Sequence, residues 1–289
     1  MKLLDGKLVS EKIYNQLLEK INTLKNKNIY PKLVVIILGD RKDSLAYVNM
    51  KHKKCQELDI KREIKKYDSD IDTNTLINYI EQLNKDNTVH GILVQLPLPE
   101  HINKDSVLNS VSKFKDVDGF HTENIGNLAL NKPALFNPCT PAGCVELLES
   151  NNIEIFGKNI TIIGSSQIVG LPLMLMLLYR GGTVSLCNIN TRNVPEHTQK
   201  ADIVISACGQ RQIVKKNWLK KDCVVVDVGI NSLPDKTKKK GYRLVGDVDF
   251  EDVKDKVSAI SPVPGGVGPM TIASLMKNTV IAAERHLST

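Results

Sequence analysis

The hydrophobic positions in the first half of the chain predict alternating strands and helices. An aliphatic run from Leu33 to Leu38, closed by Gly39, is typical of a strand buried on both faces. A shorter strand, Gly91 to Val94, stops at two nearby prolines, which cannot continue a central strand. Two sets of apolar residues at helical spacing predict amphipathic helices: Ile13, Leu17, Ile21 and Leu24, and then Leu76, Ile77, Ile80 and Leu83. We therefore predict an N-terminal α/β domain.

Short apolar segments recur in the second half of the chain. They span residues 159–163, 183–187, 202–207 and 223–228, with helix-length sequence between them. Repeated strand–helix units imply a parallel sheet with right-handed crossovers. We predict a Rossmann-like domain over residues 144–269 and a first domain made of residues 1–143 and about 270–289. The last helix, about Met270 to His286, is expected to pack back on the first domain.

The composition excludes several classes of function. For 289 residues, about 150 per domain gives two domains. The longest apolar run, Leu171 to Leu178, is far short of the roughly 20 residues that a bilayer requires, so we expect no membrane association. An aromatic content of 4% disfavours stacking on nucleic acid. The net charge of +7 owes much to the run from Lys236 to Lys240, which fits either a solvated loop or a functional patch.

Cysteine and histidine positions argue against metal or disulfide chemistry. The six cysteines form no CxxC pair, and the N-terminus has no secretory signal pattern. We therefore expect reduced thiols and a cytoplasmic protein. The six histidines are scattered without metal-ligand spacing, and neither GxSxG nor HExxH occurs, so no metal site is expected.

A glycine-bounded segment, Gly164 to Gly170, follows the first strand of the second sheet. Glycines there let the backbone approach a pyrophosphate, and free N–H groups at the helix start bind the anion. The spacing is Gly-x5-Gly rather than GxGxxG, so a simple strand–helix turn is the alternative. Its position on the first strand–helix turn favours a dinucleotide site.

Lys51 is a candidate general base. It shares a helix face with Tyr47 and Cys55, each four residues away. A desolvated lysine has a lowered pKa, so that its neutral amine accepts a proton, whereas a surface lysine only covers apolar area. Gln95 follows a buried strand, at the edge where α/β sheets collect ligands.

Two further segments suit ligand contacts. Asp116 and Asp118 precede Gly119, which fits a turn held by a carboxylate. A carboxylate in a cleft would instead accept two N–H donors from a heterocycle. The run from Pro262 to Thr271 is too rich in glycine and proline for a strand, and it suits either a structural crossover or a loop that covers a ligand.

Taken together, these motifs resemble the bifunctional methylenetetrahydrofolate dehydrogenase/methenyltetrahydrofolate cyclohydrolase family. The resemblance covers essentially the whole chain. It rests on these segments: Tyr47-Val48-x-x-Lys51-x-Lys53-x-Cys55, Gly91 to Pro99, Asp116 to Phe120, Pro138-Cys139-Thr140-Pro141-x-Gly143, Val226 to Asn231, Gly246 to Phe250 and Pro262 to Thr271. Several such motifs in one order are specific where any single motif is not.

The resemblance implies a homodimer of two-domain α/β protomers with a folate cleft between the domains. Such an enzyme oxidises 5,10-methylenetetrahydrofolate with NADP+ or NAD+, and then adds water to give 10-formyltetrahydrofolate. It implies that Lys51 is the base, that Gln95 orients it, that Tyr47 stacks on the pterin and that Asp118 holds the amino-pyrimidine edge. The implied substrate contacts also include Leu96, Pro264, Gly265, Gly268, Pro269 and Thr271. The implied cofactor contacts are Gly164, Ser165, Ser166, Ile168, Thr191, Arg192, Gly209 and Ile230.

The cofactor region departs from the family pattern. Members that use NADP commonly carry Arg where Ser165 stands, a His-Ser pair where Asn188-Ile189 stands, and Pro where Arg211 stands. Losing a guanidinium from a phosphate pocket costs about 1.5–3 kcal/mol per charged hydrogen bond. Arg192 or Arg211 could replace it. The cofactor is therefore NADP or NAD, and a weak dehydrogenase beside an intact cyclohydrolase is a further option.

Two other classes of protein remain open at this point. A different nicotinamide dehydrogenase would share the second domain but would leave the set of Tyr47, Lys51, Gln95 and Asp118 unexplained. A non-catalytic folate- or nucleotide-binding protein would not need the base and its partners.

Overall fold

The structure is a computed structural model that describes residues 1–238 and 241–285. Its strands are β1 Lys2–Leu3, β2 Lys32–Leu38, β3 Lys61–Tyr67, β4 Gly91–Val94, β5 Asn159–Ile163, β6 Thr183–Cys187, β7 Ile203–Ser206, β8 Val224–Asp227, β9 Asn231–Pro234, β10 Tyr242–Val245 and β11 Ala259–Ile260. Its helices are α1 Gly6–Lys25, α2 Lys42–Glu57, α3 Thr73–Lys85, α4 Lys104–Ser110, α5 Thr122–Ala129, α6 Cys139–Ser150, α7 Gly170–Leu178, α8 Val194–Thr198, α9 Phe250–Val253 and α10 Val267–Arg285, with a 3-10 turn at Lys216–Trp218.

The chain divides into two compact units. One comprises Met1–Glu11 and Thr140–Thr271, and the other comprises Lys12–Cys139 and Ile272–Thr289. We call them the six-stranded unit and the three-stranded unit, after their main sheets. The first residues differ from the predicted division, because β1 pairs in parallel with β11 and so belongs to the six-stranded sheet.

The three-stranded unit is built on a parallel sheet in the order β3-β2-β4. Central strand β2 is buried along almost its whole length, as its unbroken aliphatic run predicts. Edge strand β3 has only exposed and half-buried positions and carries four basic residues, which blunt an unpaired edge. The apolar face of α3 packs on this sheet through Leu76, Ile80 and Leu83. The sheet therefore gives β4 a rigid carboxyl end at Val94.

The six-stranded unit has a parallel sheet in the order β1-β11-β8-β7-β5-β6. Four of its strands lie where the apolar segments predict them, which confirms the Rossmann-like α/β class. The chain goes from β5 to β6 on one side and then returns to β7 on the other side of β5. Such a reversal of strand order is the place where open α/β sheets bind ligands, outside the carboxyl ends of the strands. An antiparallel hairpin, β9–β10, was not predicted.

The last helix confirms the predicted return to the first domain. Residues from Ile272 onward belong to the three-stranded unit. The sulfur atoms of Met276 and Cys55 lie 3.6 Å apart, and the Asn278 amide donates to the Val117 carbonyl at 2.8 Å. The helix is described from Val267 to Arg285, so the predicted end at His286 lies outside the described residues, as do Lys239 and Lys240 of the lysine run.

Two kinds of feature are absent from residues 1–238 and 241–285. No helix there is long and apolar enough to cross a membrane. Likewise, no group of three or more His, Cys, Asp or Glu side chains in those ranges is placed to hold a metal ion.

Candidate active site

Lys51 lies in the middle of α2, and Gln95 directly follows β4. The two side chains meet: Nζ of Lys51 donates to Oε1 of Gln95 at 2.9 Å. Nε2 of Gln95 donates to the Leu96 carbonyl, also at 2.9 Å. Because a carbonyl only accepts, this second bond requires the amide nitrogen on that side and leaves the oxygen facing Lys51. The end of a buried strand thus fixes the group that orients the lysine.

The Lys51 amine is buried, with only 6% of the residue exposed. Burial lowers the pKa of Lys51, since the charged ammonium loses its solvation. The negative charge of Asp118 is the largest influence that opposes this shift and raises the pKa of the amine. The snorkelling alternative therefore fails, because the amine lies inside the unit rather than in water.

Asp118 is the carboxylate that faces this lysine. Burial raises the pKa of Asp118, while the positive charge of Lys51 and a hydrogen bond with Cys139 lower it. The two charges thus partly compensate each other's desolvation. Lys51 and Asp118 are therefore a pair of titratable groups close to each other inside the unit, and such pairs are commonly found in reactive sites.

Tyr47 stands one helical turn before Lys51, as the four-residue spacing predicts. Its half-buried ring has the Lys51 nitrogen 5.9 Å from its centroid, at the outer limit of a cation–π contact. Burial also raises the pKa of the Tyr47 hydroxyl. The ring is thus a neutral aromatic surface beside the amine, suited to a flat heterocycle.

The two aspartates of the 116–118 segment have different surroundings. Asp116 is buried and accepts hydrogen bonds from the backbone N–H groups of Gly119, Phe120 and His121, and from the amide of Asn124. Burial raises its pKa to about 6, although these bonds oppose the rise. Asp116 therefore fills the turn-forming role, which leaves Asp118 for the site.

Two residues beside Asp118 were not predicted as part of the site's support. Cys139 is buried, and its thiol donates to the Val117 carbonyl at 3.2 Å. The Asn278 amide donates to the same carbonyl at 2.8 Å and to the Asn137 carbonyl at 3.2 Å. Both therefore hold the peptide that precedes Asp118. The available signal for Asn278 was an amide side chain within the mostly apolar last helix.

In the six-stranded unit, Gly164 forms the turn after β5. Its φ is +111°, and a Cβ there would lie 2.3 Å from the Ala207 carbonyl oxygen, so only glycine fits. Ser165 and Ser166 are exposed in this turn, and Ile168 is half-buried. The Ser166 hydroxyl accepts from the N–H of Val169 at 3.2 Å. The turn thus brings exposed hydroxyls and backbone to the start of α7.

The other predicted cofactor residues lie on loops at the same carboxyl edge of this sheet. After β6, the Asn188 N–H donates to the Thr191 hydroxyl at 2.8 Å, which leaves Ile189 95% exposed and Arg192 exposed. A Cβ at Gly209, after β7, would meet nothing within 4 Å, so this backbone borders open space. Ile230, after β8, is 43% exposed. These residues fit a dinucleotide site.

The predicted Pro262 to Thr271 loop is shorter than expected. Helix α10 begins at Val267, so Gly268, Pro269 and Thr271 lie in its first turns. The Thr271 hydroxyl donates to the Val267 carbonyl at 3.3 Å. Pro264 and Gly265 remain in the loop, where the Gly265 carbonyl accepts from the N–H of Gly6 at 3.0 Å. A proline at the third helical position needs no backbone donor, which explains how the helix starts inside the motif.

Comparison with family models matches both parts of the chain. Residues 4–118 match the tetrahydrofolate dehydrogenase/cyclohydrolase catalytic domain. Residues 138–287 match the NAD(P)-binding domain of the same family. The two matched domains separate the predicted residues by role. Lys51, Gln95 and Asp118 fall in the catalytic domain, and the Gly164 turn falls in the NAD(P)-binding domain.

Three similar proteins agree with the family models. The bifunctional protein FolD 2 of Arabidopsis thaliana is 46% identical, with 98% of this chain and 96% of that protein covered. The crystal structure of a Campylobacter jejuni FolD dehydrogenase/cyclohydrolase is 48% identical, covers 99% of both chains and has a TM-score of 0.94. A Trypanosoma brucei FolD complexed with NADP cofactor and inhibitor is 34% identical, covers 99% and 98%, and has a TM-score of 0.95. The chain therefore belongs to the tetrahydrofolate dehydrogenase/cyclohydrolase family.

Proposed function

We propose that this protein oxidises 5,10-methylenetetrahydrofolate to the 5,10-methenyl form with NAD(P)+ and hydrolyses that product to 10-formyltetrahydrofolate. The Lys51–Gln95 pair carries the proposal, because a buried amine oriented by an amide is the general base that hydrolysis needs. The relatives named bifunctional support both activities. A different dehydrogenase or a non-catalytic binding protein would not explain why the Lys51–Gln95 pair is present.

In the hydrolysis, Lys51 acts on the water molecule. The water oxygen bonds to the methenyl carbon while the neutral amine of Lys51 takes a proton from it. The bond from that carbon to N5 then breaks as the new hydroxyl loses its proton to form the formyl C=O, and N5 gains one proton. The formyl group stays on N10, and Lys51 releases the proton it took to solvent. Gln95 accepts a hydrogen bond from an N–H of Nζ and so directs the single lone pair of the neutral amine. Tyr47 would lie against the pterin, and Asp118 would accept from its amino-pyrimidine edge, with Leu96 beside them.

The oxidation depends on orientation more than on an acid or a base. The nitrogen lone pairs of the folate would assist departure of hydride, and a nicotinamide held in the six-stranded unit would accept it. The Gly164 turn, the hydroxyls of Ser165 and Ser166 and the Gly209 backbone would hold the dinucleotide. Pro264 and Gly265, with Gly268, Pro269 and Thr271 in the helix, are the proposed further substrate contacts.

We expect NADP as the cofactor, as found in the Trypanosoma brucei relative, with NAD as the possible substitute. The loop after β6 carries no carboxylate at the end of the strand, where NAD enzymes commonly bind the ribose 2′-hydroxyl. Arg192 is exposed in that loop and offers a cation for a 2′-phosphate.

Introducing Ser165→Arg is expected to raise the NADP/NAD ratio of kcat/KM about tenfold, because a charged hydrogen bond contributes about 1.5–3 kcal/mol. Steady-state oxidation rates with each dinucleotide measure this ratio. Gln167→Arg is the matched control, as it adds the same charge to an exposed position of the same turn. An unchanged ratio in Ser165→Arg, or an equal rise in the control, would show that another residue sets the preference.

A paired assay on the purified protein tests the proposed function. It follows methylenetetrahydrofolate oxidation with NADP+ and with NAD+, and methenyltetrahydrofolate hydrolysis separately. Both reactions are expected. Hydrolysis alone would reduce the function to that of a cyclohydrolase, and the absence of both would refute the proposal.

Two further features belong to this proposal. A homodimer is expected from the family resemblance, and sedimentation equilibrium of the purified chain measures it. A cytoplasmic location is supported by the cysteines, which are all unpaired thiols and mostly buried, as expected in a reducing compartment.

A further inference from the structure

Two buried carboxylates lie at the carboxyl edge of the six-stranded sheet and have no part in the chemistry described so far. Asp247 follows β10, and its side chain is completely buried. Its Oδ2 accepts from the backbone N–H groups of Cys208 and Gly209, at 2.9 and 3.0 Å. Its Oδ1 accepts from the Asn231 amide at 2.9 Å. One side chain therefore ties the turn after β7 to the start of β9.

The second carboxylate, Asp227 at the end of β8, holds Asp247 in place. Its Oδ1 accepts from the backbone N–H groups of Gly229 and Asp247, at 3.0 and 2.9 Å, and its Oδ2 accepts from Val248 at 2.9 Å. Its own N–H donates to the Ser261 hydroxyl at 2.8 Å. The two aspartates thus form one hydrogen-bonded network that joins the loops after β7, β8 and β10.

The two carboxylates pack directly against the backbone of two glycines, with no space for a side chain there. A Cβ at Gly229 would lie 2.1 Å from Oδ1 of Asp247, and a Cβ at Gly246 would lie 1.8 Å from Oδ2 of Asp227. Both glycines are needed for the carboxylates to approach the backbone so closely. Burying two acids side by side is costly unless each is fully hydrogen-bonded. Proteins commonly retain energetically costly features of this kind at functional sites, where the geometry of the site is important.

The turn held by Asp247 faces the place where the strand order reverses. The loops after β5 and β7 flank that crevice, and they touch, since a Cβ at Gly164 would reach within 2.3 Å of the Ala207 carbonyl oxygen. Cys208 and Gly209 continue directly from Ala207. The position of their peptide groups therefore sets one wall of the crevice.

We propose that Asp247 is a positioning residue for the dinucleotide: it fixes the Cys208–Gly209 turn that forms one wall of the cofactor crevice, and Asp227 fixes Asp247. This inference rests on the proposed dehydrogenase function. Asp247 acts through the backbone it holds and does not touch the reacting atoms. The hydrolysis uses Lys51 and Gln95 in the three-stranded unit and does not depend on this turn. Hydrolysis activity therefore serves as an internal control for effects on oxidation in the same variant.

The test compares Asp247→Asn with the wild type in both reactions. The amide keeps the size of the side chain but removes its charge and replaces one acceptor with a donor, so the bonds to Cys208 and Gly209 or to Asn231 weaken. We expect the KM for the dinucleotide to rise tenfold or more, with kcat/KM for methenyltetrahydrofolate hydrolysis within twofold of the wild type. Asp249→Asn is the matched control, because Asp249 pairs with Lys215 at 2.7 Å and makes no bond to the turn.

Two results would overturn the inference. One is a dinucleotide KM within twofold of the wild type in Asp247→Asn. The other is a parallel fall of both activities together with the melting temperature, which is what a merely structural residue gives. If Asp247→Asn does not fold, Asn231→Ala decides instead, since it removes only the donor to Oδ1 and should raise the dinucleotide KM about threefold. A wild-type enzyme that oxidises no folate refutes the proposed dehydrogenase activity instead, and dinucleotide affinity measured by calorimetry then tests the role of Asp247.

Discussion

Replacing Lys51 with Met is expected to lower the rate of methenyltetrahydrofolate hydrolysis by about 10²–10⁴-fold, which is the usual contribution of a positioned general base. Met fills a similar volume without an amine, so the packing of α2 should persist. Gln95 then loses the donor at 2.9 Å. Hydrolysis followed by the loss of methenyl absorbance measures the rate, and calorimetry measures folate affinity, which should change far less.

The control for this variant is Lys53→Met. Lys53 lies on the same helix with 80% of its side chain exposed, and its ion pair with Glu57 spans 3.8 Å. The substitution is chemically identical but leaves the buried amine intact. Wild-type hydrolysis in Lys51→Met, or an equal loss in Lys53→Met, would contradict the assignment of Lys51 as the base.

The pH dependence of hydrolysis in the wild type follows from the same environment. Burial lowers the pKa of Lys51, so the amine becomes neutral at a lower pH than an exposed lysine would. Because only the neutral amine accepts a proton, kcat should rise with pH through the pKa of Lys51 and then level off. A rate that falls with pH over this range would show that a protonated group drives the step instead.

The sequence predicts the strands whose apolar runs are long enough to show a period. Strands β5 and β6 match their predicted bounds. Four consecutive residues of β5 are buried, whereas edge strand β6 alternates exposed and half-buried positions before the buried Cys187. Strands β1 and β11 have two residues each, which is too short for any pattern, and their pairing joins chain ends far apart in sequence. The pairing of the first residues with the six-stranded sheet therefore has no signal in the local sequence.

The site divides in the same way. Helical spacing places Tyr47 and Lys51 on one face, and the end of a strand identifies Gln95, so these positions follow from local pattern. The choice between Asp116 and Asp118 does not, because it depends on which carboxylate the following backbone N–H groups reach. The support from Asn278 is 161 positions away along the chain from Val117 and therefore needs the fold.

Removing the Asp118 carboxylate is expected to weaken folate binding much more than dinucleotide binding. The proposed contact is a charge-assisted pair of hydrogen bonds to the amino-pyrimidine edge, and losing it should cost about 3 kcal/mol, roughly a hundredfold in Kd. Asp118→Ala titrated with folate and with dinucleotide separately measures the two affinities. Asp105→Ala is the control, since that carboxylate is 79% exposed in the same unit.

The same substitution should also move the pH profile of hydrolysis. The negative charge of Asp118 raises the pKa of Lys51, against the larger effect of burial. Without that charge the pKa of Lys51 falls further, so the amine is neutral at lower pH and the rise in kcat shifts to lower pH. With saturating folate, this shift separates the electrostatic effect of Asp118 on the base from its effect on binding. Equal losses of folate and dinucleotide affinity, with an unchanged pH profile, would place Asp118 outside the site. A shifted pH profile with unchanged folate affinity would show that Asp118 only raises the pKa of Lys51 and does not bind folate.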